Sequence, residues 1–223
     1  MLNKVTKSAI EAINNINDGA TILIGGFGLA GQPTELIDAL IEHNAKDLTI
    51  VSNNAGNGDT GLALLLKAGC VRKIICSFPR QHDSYIFDKL YRAGKVELEV
   101  VPQGSLAARL EAAGSGLGAI YTPTAYGTLL AEGKETRTID GVNYVLEYPI
   151  KGDFALIKAF RGDRWGNLTY RKAARNFGPI MAMASTHTIA QVSEVVALGA
   201  LDPEYVITPG IFVHEVVCIG AEA

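Results

Sequence analysis

A chain of 223 residues, 48% of them hydrophobic, can bury a sizeable core and suits one compact domain over residues 1–223. The formal net charge of −3, with no Lys/Arg run, argues against a nucleic-acid surface and against a polybasic membrane anchor. No apolar stretch is long enough to span a bilayer and the first residues lack a signal-peptide core, while Cys70, Cys76 and Cys218, an odd number among apolar neighbours, read as buried, reduced thiols of a cytoplasmic protein.

Residues 6–16 read as an amphipathic helix, with Ala9, Ile10, Ile13 and Ile16 at helical spacing. Asp18-Gly19 turns into a short apolar strand at 21–24, which breaks at Gly25-Gly26 into a glycine-rich loop. Pro33-Thr34 opens a helix to about residue 43, and Leu48 to Val51 is a second strand ending in the polar loop Ser52-Asn53-Asn54-Ala55-Gly56-Asn57-Gly58. A helix at 61–68, a strand at 71–76, a helix at 83–93 and a strand at 96–101 follow. The alternating Glu97 and Glu99 place that last strand near a sheet edge. Pro102-Gln103-Gly104-Ser105 leads into a helix at 105–113. The regular alternation predicts an α/β fold with an open, mostly parallel sheet flanked by helices. The second part is more mixed. Residues 131–152 read as a hairpin or excursion, 153–159 as a strand, and 161–167 as a turn; 181–198 carry helix and strand candidates.

The glycine loop sits where open α/β folds place ligands, between a strand end and a helix start. Gly26-Phe27-Gly28-Leu29-Ala30-Gly31 matches G-x-G-x-x-G, so a nucleotide-binding oxidoreductase is one reading. Two features oppose it. Gly31 is followed by Gln32-Pro33, so the helix starts after the third glycine rather than around it, and the second strand ends in Ser52-Asn53-Asn54 without the acid that would hold a ribose. A non-catalytic binding module is a further alternative. The 4 histidines and the cysteines show no metal-ligand spacing, no G-x-S-x-G elbow is present, and Cys70 and Cys76 lie in apolar runs that disfavour a nucleophilic thiolate.

The segments Gly25-Gly26-Phe27-Gly28-Leu29-Ala30-Gly31-Gln32-Pro33, Ser52-Asn53-Asn54-Ala55-Gly56, Pro102-Gln103-Gly104-Ser105 and Tyr121-Thr122-Pro123-Thr124 carry a resemblance, continued by Gly152-Asp153-Phe154 and Arg171-Lys172-Ala173-Ala174-Arg175-Asn176-Phe177. In order and over nearly the whole chain, they resemble the first (A) subunit of family I CoA-transferases. The stretches 76–81 and 162–170 are most similar to the branch whose acyl acceptor is 3-oxoadipate; acetoacetate-using relatives, the alternative, usually differ there. The resemblance implies the family's fold, transfer of CoA from succinyl-CoA to 3-oxoadipate through a glutamyl-CoA thioester, and a place in aromatic-compound degradation. It implies no permanently bound cofactor and no metal, with the CoA thioester as substrate. It places the nucleophilic glutamate in a Ser-Glu-Asn-Gly stretch of a second (B) subunit. It also implies an assembly of two A and two B chains. No glutamate here is followed by asparagine, and Glu132 is the nearest imitation.

Gln103 is implied as an oxyanion donor, because a neutral N–H stabilises the tetrahedral oxyanion without quenching an anionic nucleophile. Asn53 is implied as its active-site companion, with Asn54 beside it contacting substrate or only holding the loop. Gly25, Gly26 and Gly28 allow backbone to approach the thioester, and Phe27 is equally compatible with a core position. Arg80 is the candidate for the distal carboxylate that distinguishes 3-oxoadipate from acetoacetate, since a guanidinium binds carboxylate bidentately; the alternative is a solvated loop arginine. Arg171, Lys172 and Arg175 read as a subunit-contact face, with CoA phosphates as the other possibility.

Overall fold

The structure, a computed structural model, describes residues 2–80 and 82–220. In chain order the strands and helices are β1 (Val5–Thr6), α1 (Ala9–Ile13), β2 (Thr21–Ile24), α2 (Thr34–His43), β3 (Leu48–Val51), α3 (Leu62–Lys67), β4 (Val71–Cys76), α4 (Tyr85–Arg92), β5 (Glu97–Val100) and α5 (Gln103–Gly114). There follow β6 (Ile120–Thr122), β7 (Thr136–Ile139), β8 (Val142–Glu147), β9 (Gly152–Asp163), β10 (Leu168–Thr169), α6 (Gly178–Met183), β11 (Ser185–Val196) and β12 (Glu215–Cys218). The main sheet runs β1-β12-β11-β9-β2-β3-β4-β5, parallel throughout, with β10 paired antiparallel to β9.

Both faces of this sheet are covered, so its strands are apolar at successive positions rather than alternating. Ile22, Ile24, Ile50, Ile74, Leu156 and Ile189 pack on one side with Leu36, Leu40, Leu65 and Phe87 of α2, α3 and α4. Leu23, Val51, Ala155, Ile157 and Ala190 pack on the other with Leu106, Leu110 and Met181 of α5 and α6. The chain leaves β2 toward β5 in one direction and later returns through β9 toward β1 in the other. The strand order therefore reverses between β2 and β9, and the glycine loop stands at that switch point.

Several boundaries differ from the sequence expectations. The helix expected at 6–16 is confined to Ala9–Ile13, because Val5 and Thr6 instead pair with Val216 and Val217 and Ser8 caps the helix through its Oγ. The turn expected at 161–167 begins later: β9 continues through Arg161-Gly162-Asp163, held by pairing to Glu194, Val195 and Val196 of β11. The excursion is real, and β6, β8 and β7 form their own antiparallel sheet. Buried Glu147 at its base meets Lys134 Nζ at 2.6 Å and Arg109 Nη1 at 3.7 Å, and Arg109 also reaches Glu99 on β5. β5 is the sheet edge, as the alternating glutamates predicted. Cys70 and Cys76 are buried, but Cys218, the last residue of β12, is exposed.

Candidate active site

β2, β3, β4 and β5 end at the same edge of the sheet, and each delivers a loop to one cleft. After β2, Gly25 N donates to Leu156 O at 3.0 Å, which keeps the chain in register with β9 for one more residue. Gly26 then takes φ +136, and Phe27 and Ala30 exchange backbone hydrogen bonds of 3.0 and 3.2 Å around Gly28-Leu29, with Gly28 at φ +61. These left-handed conformations require glycine. Asn176 clamps this turn from the far side. Its Oδ1 accepts from Gly26 N at 3.0 Å, and its Nδ2 donates to Ala30 O and to Ala173 O, each at 2.9 Å. Gly31 packs so closely against this clamp that an added Cβ would lie 2.4 Å from Ala174 O.

The Gly26–Gly31 loop is thus closed on itself and pressed against the 173–176 turn. Helix α2 starts only at Thr34, behind Pro33. The arrangement lacks a glycine-wrapped helix N-terminus of the kind that holds a pyrophosphate, which removes the physical basis of the dinucleotide reading.

At the end of β3, Asn53 and Asn54 are both 2% exposed. Their roles separate. Asn54 Oδ1 accepts from Gly56 N at 2.8 Å and shapes its own loop. Asn53 Oδ1 instead faces Gln103, whose Nε2 donates to it at 2.6 Å. Gln103 is the first residue of α5, placed by Pro102, which precedes the helix as its cap. Ser77 and Phe78 follow β4, and their backbone N–H groups donate to Asn53 O at 3.2 and 3.1 Å, which ties the β4 loop to the β3 loop.

Phe27, Asn53, Ser77, Phe78 and Gln103 line a cleft of about 420 Å³. None of these side chains is an acid or a base in the neutral range. The cleft offers amide and hydroxyl hydrogen bonds between two half-exposed aromatic rings, Phe27 and Phe78. Such a site can stabilise developing negative charge, but it holds no nucleophile of its own. Cys76, next to Ser77, does not supply one: burial pushes its thiol up to about 12. Glu132 lies away from it, in the 127–132 turn beyond β6. Among the described residues, no group of three or more His, Cys, Asp or Glu is placed to hold a metal ion.

The cleft brings Phe27, Asn53 and Gln103 together, while Gly25, Gly26 and Gly28 shape the loop behind Phe27. Phe27 is not a core residue, being 53% exposed. Arg80 does not line the cleft. Its Nη2 pairs with Asp88 Oδ1 at 2.6 Å, and Asp88 also takes Arg92 at 2.7 Å. The hydrogen bond from Arg92, with the Arg80 charge beside it, holds the Asp88 carboxyl below its ordinary range. Arg171 and Lys172 line a second cleft of about 440 Å³ with Lys158, Gln191 and Glu35, and Arg175 lies outside it. Ser77 and Asn176 were visible in the sequence only as members of longer stretches. Their roles depend on loops that meet from distant parts of the chain.

The Coenzyme A transferase family profile matches residues 6–218. The chain therefore belongs to the coenzyme A transferase family. Within it, the chain is 74% identical to the A subunit of the 3-oxoadipate CoA-transferase of Acinetobacter baylyi, covering 97% of this chain and 95% of that one. It is 69% identical to its namesake from Pseudomonas putida, covering 100% and 96%. Among solved structures, an acyl-CoA transferase from E. coli O157:H7, captured as a thioester complex with CoA, superposes with a TM-score of 0.85 at 25% identity. The match covers 98% of this chain but only 47% of that one, so this chain spans about half of the larger enzyme. Glutaconate CoA-transferase from Acidaminococcus fermentans shares the fold, with a TM-score of 0.86 over 97% of this chain and 76% of its own at 20% identity.

Proposed function

We propose that this chain is the A subunit of a transferase that moves CoA from succinyl-CoA to 3-oxoadipate, giving succinate and 3-oxoadipyl-CoA. The observation that carries the reading is the cleft itself, which pairs the Asn53 and Gln103 amides at 2.6 Å and contains no carboxylate. The thioester carbonyl is attacked by a glutamate of a separate B subunit, and the amides receive the oxyanion that forms on the carbonyl oxygen as the new C–O bond is made. Its collapse breaks the C–S bond and releases CoA thiolate, which then attacks the activated glutamyl carbonyl to give the glutamyl-CoA thioester and free succinate. Neutral donors suit this step because they stabilise the oxyanion and leave the attacking carboxylate charged. No cofactor is held between turnovers; CoA arrives and leaves as substrate. The names of the relatives, which are those of A subunits, support a separate B chain. An assembly of two A and two B chains in the cytoplasm, each A chain forming one domain, completes the proposal. No helix among the described residues is long and apolar enough to cross a membrane.

Acceptor choice is assigned to Arg80, two residues beyond the cleft-lining Phe78. One nitrogen of its guanidinium is engaged by Asp88, which leaves further N–H groups for a distal carboxylate. An acceptor without that carboxylate, such as acetoacetate, is the competing reading.

The test is CoA transfer measured with the purified chain, with and without a co-expressed B subunit bearing a Ser-Glu-Asn-Gly stretch. Activity that appears only with the partner is the expected result. Full activity from this chain alone would overturn the placement of the nucleophile.

A further inference from the structure

Asn53 and Gln103 face each other as two primary amides, and such a pair has two possible polarities. In one, Gln103 Nε2 donates to Asn53 Oδ1. In the other, both amides are rotated, Asn53 Nδ2 donates to Gln103 Oε1, and the Asn53 oxygen turns toward the cleft. The shape of the pair does not distinguish them. The first leaves both protons of Asn53 Nδ2 unspent beside the cleft, while the second turns the Asn53 oxygen there.

Ser77 breaks this symmetry. Its Oγ lies 3.0 Å from both Asn53 O and Asn53 Oδ1. A hydroxyl has a single proton to give; were the amide rotated, Oγ would accept from Asn53 Nδ2 and its own proton would be left with Asn53 O. The two lone pairs of Asn53 O are already met by the backbone N–H groups of Ser77 and Phe78, at 3.2 and 3.1 Å. The hydroxyl proton therefore belongs on Oδ1, where it joins the Gln103 donor at 2.6 Å and fills the second lone pair of that oxygen. Asn53 is 2% exposed, so solvent does not compete for this oxygen.

We infer that Ser77 is a positioning residue: its hydroxyl fixes the polarity of the Asn53–Gln103 amide pair so that Asn53 Nδ2, and not Asn53 Oδ1, is free toward the cleft. The inference rests on the proposed transferase reading for its catalytic consequence, but the polarity itself is independent of it.

Two measurements test it. In the full chain labelled with 15N-Gln or 15N-Asn, the hydrogen-bonded, downfield side-chain proton of the pair is expected on Gln103 in the wild type and in Ser77→Thr, which keeps the hydroxyl. In Ser77→Ala it is expected to be shared between Gln103 and Asn53. A proton that stays wholly on Gln103 in Ser77→Ala, or that lies on Asn53 in the wild type, overturns the inference. In the complex with the B subunit, Ser77→Ala is expected to lower kcat by about 2- to 10-fold, the loss of one net hydrogen bond, with KM for succinyl-CoA unchanged. Ser77→Thr is expected to restore kcat, and Ser77→Ala to cost nothing further in an Asn53→Ala background. An unchanged kcat, or an additive loss in that background, overturns it as well. If the wild-type complex transfers no CoA, the proposed reaction fails while the amide signals still decide the polarity.

Discussion

Gln103 gives the clearest single-residue prediction. Removing one preorganised oxyanion donor typically costs about 100- to 1000-fold in kcat, so Gln103→Ala in the A–B complex should fall in that range while the melting temperature stays near that of the wild type. Because its side chain bonds across the cleft to Asn53 rather than into the core, a large loss of stability would contradict this role. Arg80→Ala should lower kcat/KM for 3-oxoadipate relative to acetoacetate; an unchanged ratio would return Arg80 to a surface ion pair with Asp88. A third prediction concerns pH. His214 stacks on His187 with ring centroids 4.6 Å apart, and its Nδ1 accepts from Thr188 N. Burial first, then the His187 and Lys4 charges, push its pKa below the ordinary 6.5, against the opposing pull of Glu215. The unfolded chain therefore binds a proton that the folded chain resists, and stability is fully present above pH 6.5 and lost as pH falls below it. Urea unfolding midpoints should drop between about pH 7 and 5.5, and His214→Asn should flatten that slope.

At the scale of elements, the glycine loop and the 173–176 turn act as one unit, although 150 residues separate Gly26 from Asn176. Asn176→Ala removes hydrogen bonds to Gly26, Ala30 and Ala173 together. Leaving these groups without partners should lower unfolding free energy by about 2 kcal/mol, with activity lost alongside it. Two glycines of the loop separate sterics from strain. Gly28 has open space where a Cβ would go, so Gly28→Ala carries only the left-handed penalty of about 1–2 kcal/mol. Gly31→Ala adds a collision 2.4 Å from Ala174 O and should be clearly worse in thermal melts; equal costs would show that the clamp yields.

For the whole molecule, the cleft lies beside the topological reversal of the sheet, and the apolar side chains around it face solvent in the isolated chain. Leu29 is 62% exposed, Phe27 53% and Phe78 55%. A partner that delivers a carboxylate into this cleft covers that rim. Leu29→Asp is therefore expected to weaken co-elution with the B subunit on gel filtration without changing the fold of the A chain. Tight assembly of the variant would place the interface elsewhere.

Read alone, the chain specified the alternation of strands and helices and the edge position of the strand bearing Glu97 and Glu99. Through family resemblance it also put Asn53 and Gln103 in one site. Those features are written locally, as apolar period, glycine and proline punctuation, and contiguous motif. Whatever depends on meetings between distant segments was settled only by their packing. That packing drew Thr6 out of the expected helix by offering it β12, carried β9 past Arg161 by offering it β11, and left Cys218 exposed at the end of β12. It also set Ser77 against Asn53 and Asn176 against Gly26, and stacked His187 on His214. A hydroxyl, an amide or an imidazole has no fixed role in a linear sequence, because its partner is chosen by the packing of whole elements whose burial outweighs any single hydrogen bond.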